Sequence, residues 1–163
     1  MGLDMYLYAN KYVNKVNWGK SMYEDDSWAE TEEFTALVNT LGCRDSIRKE
    51  DVTGIYVKIP IGYWRKANAI HGWFVREMAD GRDECQDIYC GKENLEELLN
   101  TCRNVLEKND NEFAKENLPT CSGFFFGTNE YDEWYWDDIK KTIEILENAL
   151  KSDYESFIYQ ASW

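Results

Sequence analysis

Residues 3–8 alternate, with Leu3, Met5 and Leu7 set against Asp4, Tyr6 and Tyr8. A period of two marks a strand with one buried face. The alternation returns in "GIYVKIP", where Ile55, Val57 and Ile59 interleave with Tyr56 and Lys58 and Pro60 closes the run. Between the two, residues 14–30 are polar and turn-rich and read as a long surface loop. Phe34, Leu37, Val38 and Leu41 then fall on one helical stripe ended by Gly42. A helix is predicted from roughly Gly62 to Met78, stopped by "ADG", and "DIYC" reads as a short strand. "KENLEELLNTCRNVLEK" is a helix with Leu95, Leu98, Leu99, Cys102, Val105 and Leu106 inward. "SGFFFG" reads as a strand between glycines, and a helix from about Asp132 to Lys151 buries Trp136, Ile139, Ile143, Leu146 and Leu150. "YESFIYQASW" supplies a last strand. The pattern predicts an α+β fold, one domain over residues 1–163, with a sheet of about five strands and helices packed against it.

On a helix of 3.6 residues per turn, Tyr63, Ala67, Ile70, Phe74 and Met78 share the core stripe. Trp64 and His71 then lie on one flank, with Asn68 a step further round. Arg65, Gly72 and Arg76 point away from the core, and Lys66 and Trp73 share the other flank. This arrangement predicts a pocket wall of Trp64, Asn68 and His71, with Arg65 or Lys66 holding an anion near the helix start. A flat base would stack on Trp64. The competing reading has Trp64 and His71 packed at the edge of the core and Arg65 and Arg76 in solvent.

Residues 118–138, "LPTCSGFFFGTNEYDEWYWDD", form the second candidate. Thr128 or Asn129 can cap the helix that follows. Glu130, Asp132, Glu133, Asp137 and Asp138 crowd its first turns, where the helix dipole favours negative charge. The sharper expectation is that Asp132 or Glu133 pairs with Arg65 or Lys66, or that these carboxylates accept hydrogen bonds from a ligand. Thr120 and Ser122 offer hydroxyls that could line the same pocket. Asp4, between apolar neighbours on the first strand, needs a cationic or hydroxyl partner.

Charge narrows the function classes. The net charge is −13. Residues 1–81 carry 10 basic and 12 acidic residues, whereas residues 82–163 carry 8 and 19, a net of −11. General nucleic-acid binding needs the opposite sign and is excluded. Residues 44–76 run the other way, with 7 basic against 3 acidic residues, which suits a small anionic ligand. Aromatic residues make up 15% of the chain, so rings either fill the core or are displayed to a ligand.

Absences narrow them further. No apolar run approaches the roughly 18–20 residues that span a bilayer, and the first ten residues lack the pattern of a signal peptide. The five cysteines include no C-x-x-C, as expected of free thiols in a reducing cytoplasm. One histidine excludes His-cluster metal sites, and no zinc spacing is present. There is no Walker loop, no G-x-G-x-x-G after a strand and no G-x-S-x-G elbow. No metal, cofactor or catalytic residue is expected, and a binding protein is favoured over an enzyme.

"MGLDMYLY", "GYWRKANAIHGWFV", "SGFFFGTNEYDEWY" and the closing "YQASW" together resemble a family of small bacteriophage and prophage proteins. The similarity covers most of the chain and is weakest over residues 14–52. It implies a phage gene product made in the host cytoplasm. In that setting the residues predict a protein that binds a small anionic, nucleotide-like ligand through Trp64, Arg65, Lys66, Asn68 and His71, with Ser122 and Asp132 beside them. Such a protein could withhold a host antiviral signal. Two alternatives stand beside it: an acidic antagonist docking on a basic host defence or DNA-binding protein, and a carboxylate-dependent hydrolase. Oligomeric state is left open.

Overall fold

The computed structural model describes residues 2–19, 29–46 and 52–163. Of the polar loop expected over residues 14–30, residues 20–28 lie outside the described residues, and Val16 and Glu30 form an antiparallel bridge. The fold is mixed α+β as expected, built on an antiparallel sheet that has four strands among the described residues, close to the expected number of about five. The strands are β1 (Asp4–Asn14), β2 (Gly54–Arg65), β3 (Ile88–Gly91) and β4 (Ser156–Ser162), in the order β2-β1-β4-β3. The helices are α1 (Glu32–Leu41), α2 (Asn68–Trp73), α3 (Lys92–Lys108), α4 (Asn111–Asn117) and α5 (Glu133–Leu150). The chain divides into two compact units, one made by residues up to Asn10 together with Ile59–Trp163, the other by Lys11–Lys58.

In the larger unit, β1 and β4 pair with Met5 opposite Ala161, Leu7 opposite Tyr159 and Ala9 opposite Phe157. All six are buried, so the expected alternation puts one face of these strands into the core. β3 adds Ile88 opposite Tyr159 and Cys90 opposite Phe157 on the same face. α3 contributes Leu95, Leu98, Leu99, Cys102 and Val105 to this core. On α5 the buried stripe is Tyr135, Ile139, Thr142, Leu146 and Ala149. It is turned slightly from the expected one, leaving Trp136, Ile143 and Leu150 only partly buried.

The largest departure from expectation concerns residues 59–67. Pro60 does not end the strand: β2 runs on to Arg65, and the helix begins only at Asn68. β2 is an edge strand, where a residue without an N–H is tolerated. Gly62 and Trp64 face the core side, and a Cβ on Gly62 would meet Ile145 Cγ2 of α5 at 2.5 Å. That glycine lets α5 lie against the strand. Tyr63, expected in the core, is exposed on the other face and donates its hydroxyl to Asp4, which supplies the partner Asp4 was expected to need. The bond to a carboxylate pushes the Tyr63 hydroxyl pKa upward. After α2 the helix widens into a π turn over Phe74–Met78, with Phe74 stacked on Tyr159 at 4.0 Å between ring centroids. α4 lies where no element was expected. "SGFFFG" is a turn, not a strand: Phe126 N–H bonds Gly123 O at 3.3 Å, and Phe125 sits at φ 65°.

The smaller unit has its own apolar cluster of Val13, Phe34 and Val38. Thr31 caps α1 by accepting from Phe34 N–H, and Gly42 ends it in the left-handed conformation at φ 64°. Leu41, expected on the buried stripe, is exposed.

Candidate functional site

β2 ends at Arg65, and the next residue, Lys66, turns the chain with a left-handed backbone at φ 62°. Its N–H is held by Leu3 O at 2.8 Å, and Asn68 N–H bonds back to Lys66 O at 2.8 Å. A residue with a Cβ is strained there by about 1–2 kcal/mol. The corner opens on a cavity of about 350 Å³ lined by Arg65, Lys66 and the start of α2. Trp134, Tyr135, Asp138 and Ile139 of α5 form the facing wall, and Thr120, Gly127, Thr128, Glu130 and Asp132 complete the lining.

Asn68 is buried, and its amide is fully used as a donor. Nδ2 donates to Phe126 O at 3.3 Å and Thr128 O at 2.8 Å, tying the loop before α5 to the first turn of α2. Cys121 Sγ donates to Asn68 O at 3.0 Å from the same loop, and burial pushes that thiol's pKa up. Gly127, at φ 98°, lets the loop pass the side chain of Lys66, whose Cβ would lie 3.4 Å from a Cβ at that position. Asn68 thus builds the pocket rather than offering free donors to a ligand.

Asp132 is the N-cap of α5. Its Oδ1 accepts from Trp134 N–H at 3.0 Å and Tyr135 N–H at 3.3 Å, the role expected of Thr128 or Asn129. Neither Asp132 nor Glu133 pairs with Arg65 or Lys66. Among the described residues, neither of those two cations joins any carboxylate in an ion pair. The Tyr135 hydroxyl is likewise spent, donating to Leu118 O at 2.9 Å, and burial raises its pKa.

Asp138 differs from the other acids. Its carboxyl is half-buried and, among the described residues, receives no hydrogen bond. Desolvation lifts its pKa from the ordinary 3.8 to about 6, with Lys141 pulling it down and Asp137 and Asp132 pushing it further up. A half-buried carboxyl with a shifted pKa in a cavity is the kind of group that binding and catalytic sites employ. Trp134, one helical turn earlier, leaves 68% of its surface in water at the same cavity. Asp138 was named from the sequence only as one of five acidic residues around the first turns, and Trp134 was not singled out, although it lies in the segment marked as a candidate.

The expected site residues therefore separate. Arg65, Lys66, Asn68 and Asp132 come together around the cavity. Trp64 does not line it: the ring is fully buried, with Nε1 donating to Thr142 Oγ1 at 2.9 Å. No base can stack on it. His71 is also buried, with Nδ1 2.8 Å from the Tyr159 hydroxyl and Nε2 3.0 Å from Asp83 Oδ2. Asp83 Oδ1 accepts from Trp163 Nε1 at 3.2 Å, and the His71 ring meets Phe126 edge-on. Both histidine nitrogens are engaged within the protein. Ser122 is exposed outside the cavity lining and accepts from Asn129 Nδ2 at 2.8 Å.

No protein-family model, no curated protein and no solved structure matches the chain. Among the described residues, no three His, Cys, Asp or Glu side chains gather as a metal ion would require, and no helix is long and apolar enough to cross a membrane.

Proposed function

We propose that the cavity between the β2–α2 corner and α5 holds a small nucleotide-like ligand, with its anionic group at Arg65 and Lys66, and that the protein acts by retaining this ligand. The observation that carries the reading is the pair of adjacent cations, free of ion pairs among the described residues, on the wall of a cavity of ligand size. Small-molecule sites run from roughly 300 to 1,000 Å³, and this one stands at the lower end. The strained backbone at Lys66 supports the same reading, because such strain concentrates where a side chain is needed in place.

The acidic lining does not oppose an anion at that end. The Asp132 charge is offset by the helix N-terminus it caps, Glu130 is exposed and screened, and Asp138 stands on the facing wall, on α5 rather than at the corner that carries the two cations. Trp134 takes the stacking role first expected of Trp64. In the phage setting implied by the resemblance, retention of a nucleotide would deprive a host antiviral effector of its signal.

Thermal unfolding against mononucleotides, cyclic dinucleotides and ADP-ribose tests the proposal. A ligand at about 100 times its dissociation constant adds roughly 2.7 kcal/mol of stability. The expected result is a stabilising compound whose effect is lost in Arg65→Ala, an exposed position where the substitution leaves the fold intact. If no anionic compound raises the transition, or Arg65→Ala leaves the effect in place, the proposal fails and the acidic C-terminal half becomes the place to seek a partner.

A further inference from the structure

We infer that the base read by this pocket is guanine, stacked on Trp134 with its N1–H and N2 amino group donating to the two oxygens of the Asp138 carboxylate. The inference rests on the nucleotide reading above and adds the identity of the base. Trp134 and Asp138 are four residues apart on α5, so they are neighbours on one helix face, and both line the cavity. The indole is a large apolar surface left in water, which a flat base would cover. The carboxylate beside it has no donor of its own among the described residues.

The chemistry of the edge then decides between bases. An ionised carboxylate offers two acceptors and no donor. Guanine presents two adjacent donors in a fork that matches them. Adenine and cytosine each present one donor beside a ring nitrogen acceptor, and that acceptor would face a carboxylate lone pair. Uracil presents a single N–H between two carbonyls. A site built to accept from two donors rejects a base that brings one, because the mismatch leaves buried polar groups opposed. The cations on the other wall remain for the phosphate, and the volume suits one nucleotide rather than two.

Protonation of Asp138 removes the match. Its charge is set by desolvation, with Lys141 favouring the ionised form and Asp137 and Asp132 opposing it, and the other charged groups lining the cavity are Arg65 and Lys66 at the corner and Glu130 on the loop. A neutral carboxyl carries a donor and an acceptor, which suits adenine as well as guanine.

Titration calorimetry of the full chain with GMP, IMP and AMP at pH 7.5 and pH 5.5 is the test. At pH 7.5 GMP is expected to bind about tenfold or more tightly than AMP, the scale of one good bidentate base contact. IMP, which keeps N1–H and lacks the amino group, falls between them. The GMP-to-AMP ratio shrinks at pH 5.5 in the native chain and collapses in Asp138→Asn at both pH values. The wild-type pH comparison stands even if the variant misfolds. Nucleotides that need Arg65 but bind with equal affinity whatever the base, or a guanine preference that survives Asp138→Asn, would overturn the inference and leave the pocket standing. Absence of binding by all three, with no effect of Arg65→Ala on any anionic compound, would remove both.

Discussion

Trp64 Nε1 donates to Thr142 Oγ1 at 2.9 Å, and the Thr142 hydroxyl in turn donates to Asp138 O at 2.6 Å. A buried indole on β2 thereby grips the turn of α5 that carries the pocket carboxyl. Trp64 acts on the site through the position of α5, and the adjacent Arg65 is carried by the same strand end.

Substitution at Trp64 is therefore a stability experiment. Trp64→Ala leaves a large void and costs about 3–5 kcal/mol. Trp64→Phe keeps much of the ring but leaves Thr142 without its donor, for a loss of about 1–3 kcal/mol. Urea unfolding monitored by far-UV circular dichroism measures both. An unchanged midpoint in Trp64→Phe would mean that the bond to Thr142 contributes nothing.

The opening strand, α3, α5 and the closing strand were legible because long stretches of one period left little choice. The 59–67 segment was not, because two periods fit it. Ile61, Tyr63 and Arg65 alternate with Gly62 and Trp64 as a strand, while Tyr63, Ala67, Ile70 and Phe74 fit a helix. Pro60 then tipped the reading toward a strand end, although an edge strand tolerates a proline where its nitrogen faces solvent. The error moved Trp64 from core to pocket and Tyr63 from surface to core. Arg65, Lys66, Asn68 and Asp132 still meet at one cavity, since the corner between strand and helix falls at residues 65–68, inside the segment expected to carry the site. Asp138 did not stand out from the other acids because acidic first turns have an ordinary explanation in the helix dipole, and Trp134 went unmarked between them. The spacing of four between Trp134 and Asp138, off the buried stripe, was the available signal.

Lys66 separates strain from charge. Lys66→Gly relieves the left-handed backbone at φ 62° while adding freedom to the unfolded chain. The net effect is expected to lie between zero and about 1 kcal/mol of added stability. Lys66→Ala keeps the strain and gains nothing. Both remove the ammonium, so both weaken nucleotide binding by a similar factor in calorimetric titration. Full affinity in Lys66→Gly would show that the side chain is not used.

The Asp83–His71–Tyr159 chain predicts a second stability site with no binding phenotype. Tyr159→Phe preserves the stack on Phe74 but leaves His71 Nδ1 buried without a partner. The expected loss is about 1–3 kcal/mol. Nucleotide affinity, measured well below the unfolding temperature, is expected to stay within about twofold, since neither residue lines the cavity. A large affinity loss in the folded variant would place the buried network in the binding site after all.

Asp138 should oppose stability where it serves binding. Desolvation raises its folded-state pKa to about 6 from the ordinary 3.8, so the folded chain holds this proton more tightly than the unfolded chain does. Below pH 3.8 both states are protonated and the ionisation penalty is absent. The penalty grows as pH rises toward 6 and is complete above it. Asp138→Asn removes the titration, so the variant is expected to be more stable than the native chain at pH 7.5. Allowing for partial exposure, the gain is about 1–2 kcal/mol. The difference between variant and native chain should shrink steadily below pH 6 and level off near pH 4. Chemical denaturation of both proteins across pH 4–8 measures it. A constant difference over that range would show that the carboxyl is no harder to ionise in the fold than in water. A variant that gains stability at pH 7.5 while losing the guanine preference would identify Asp138 as a group kept for its ligand at the expense of the fold.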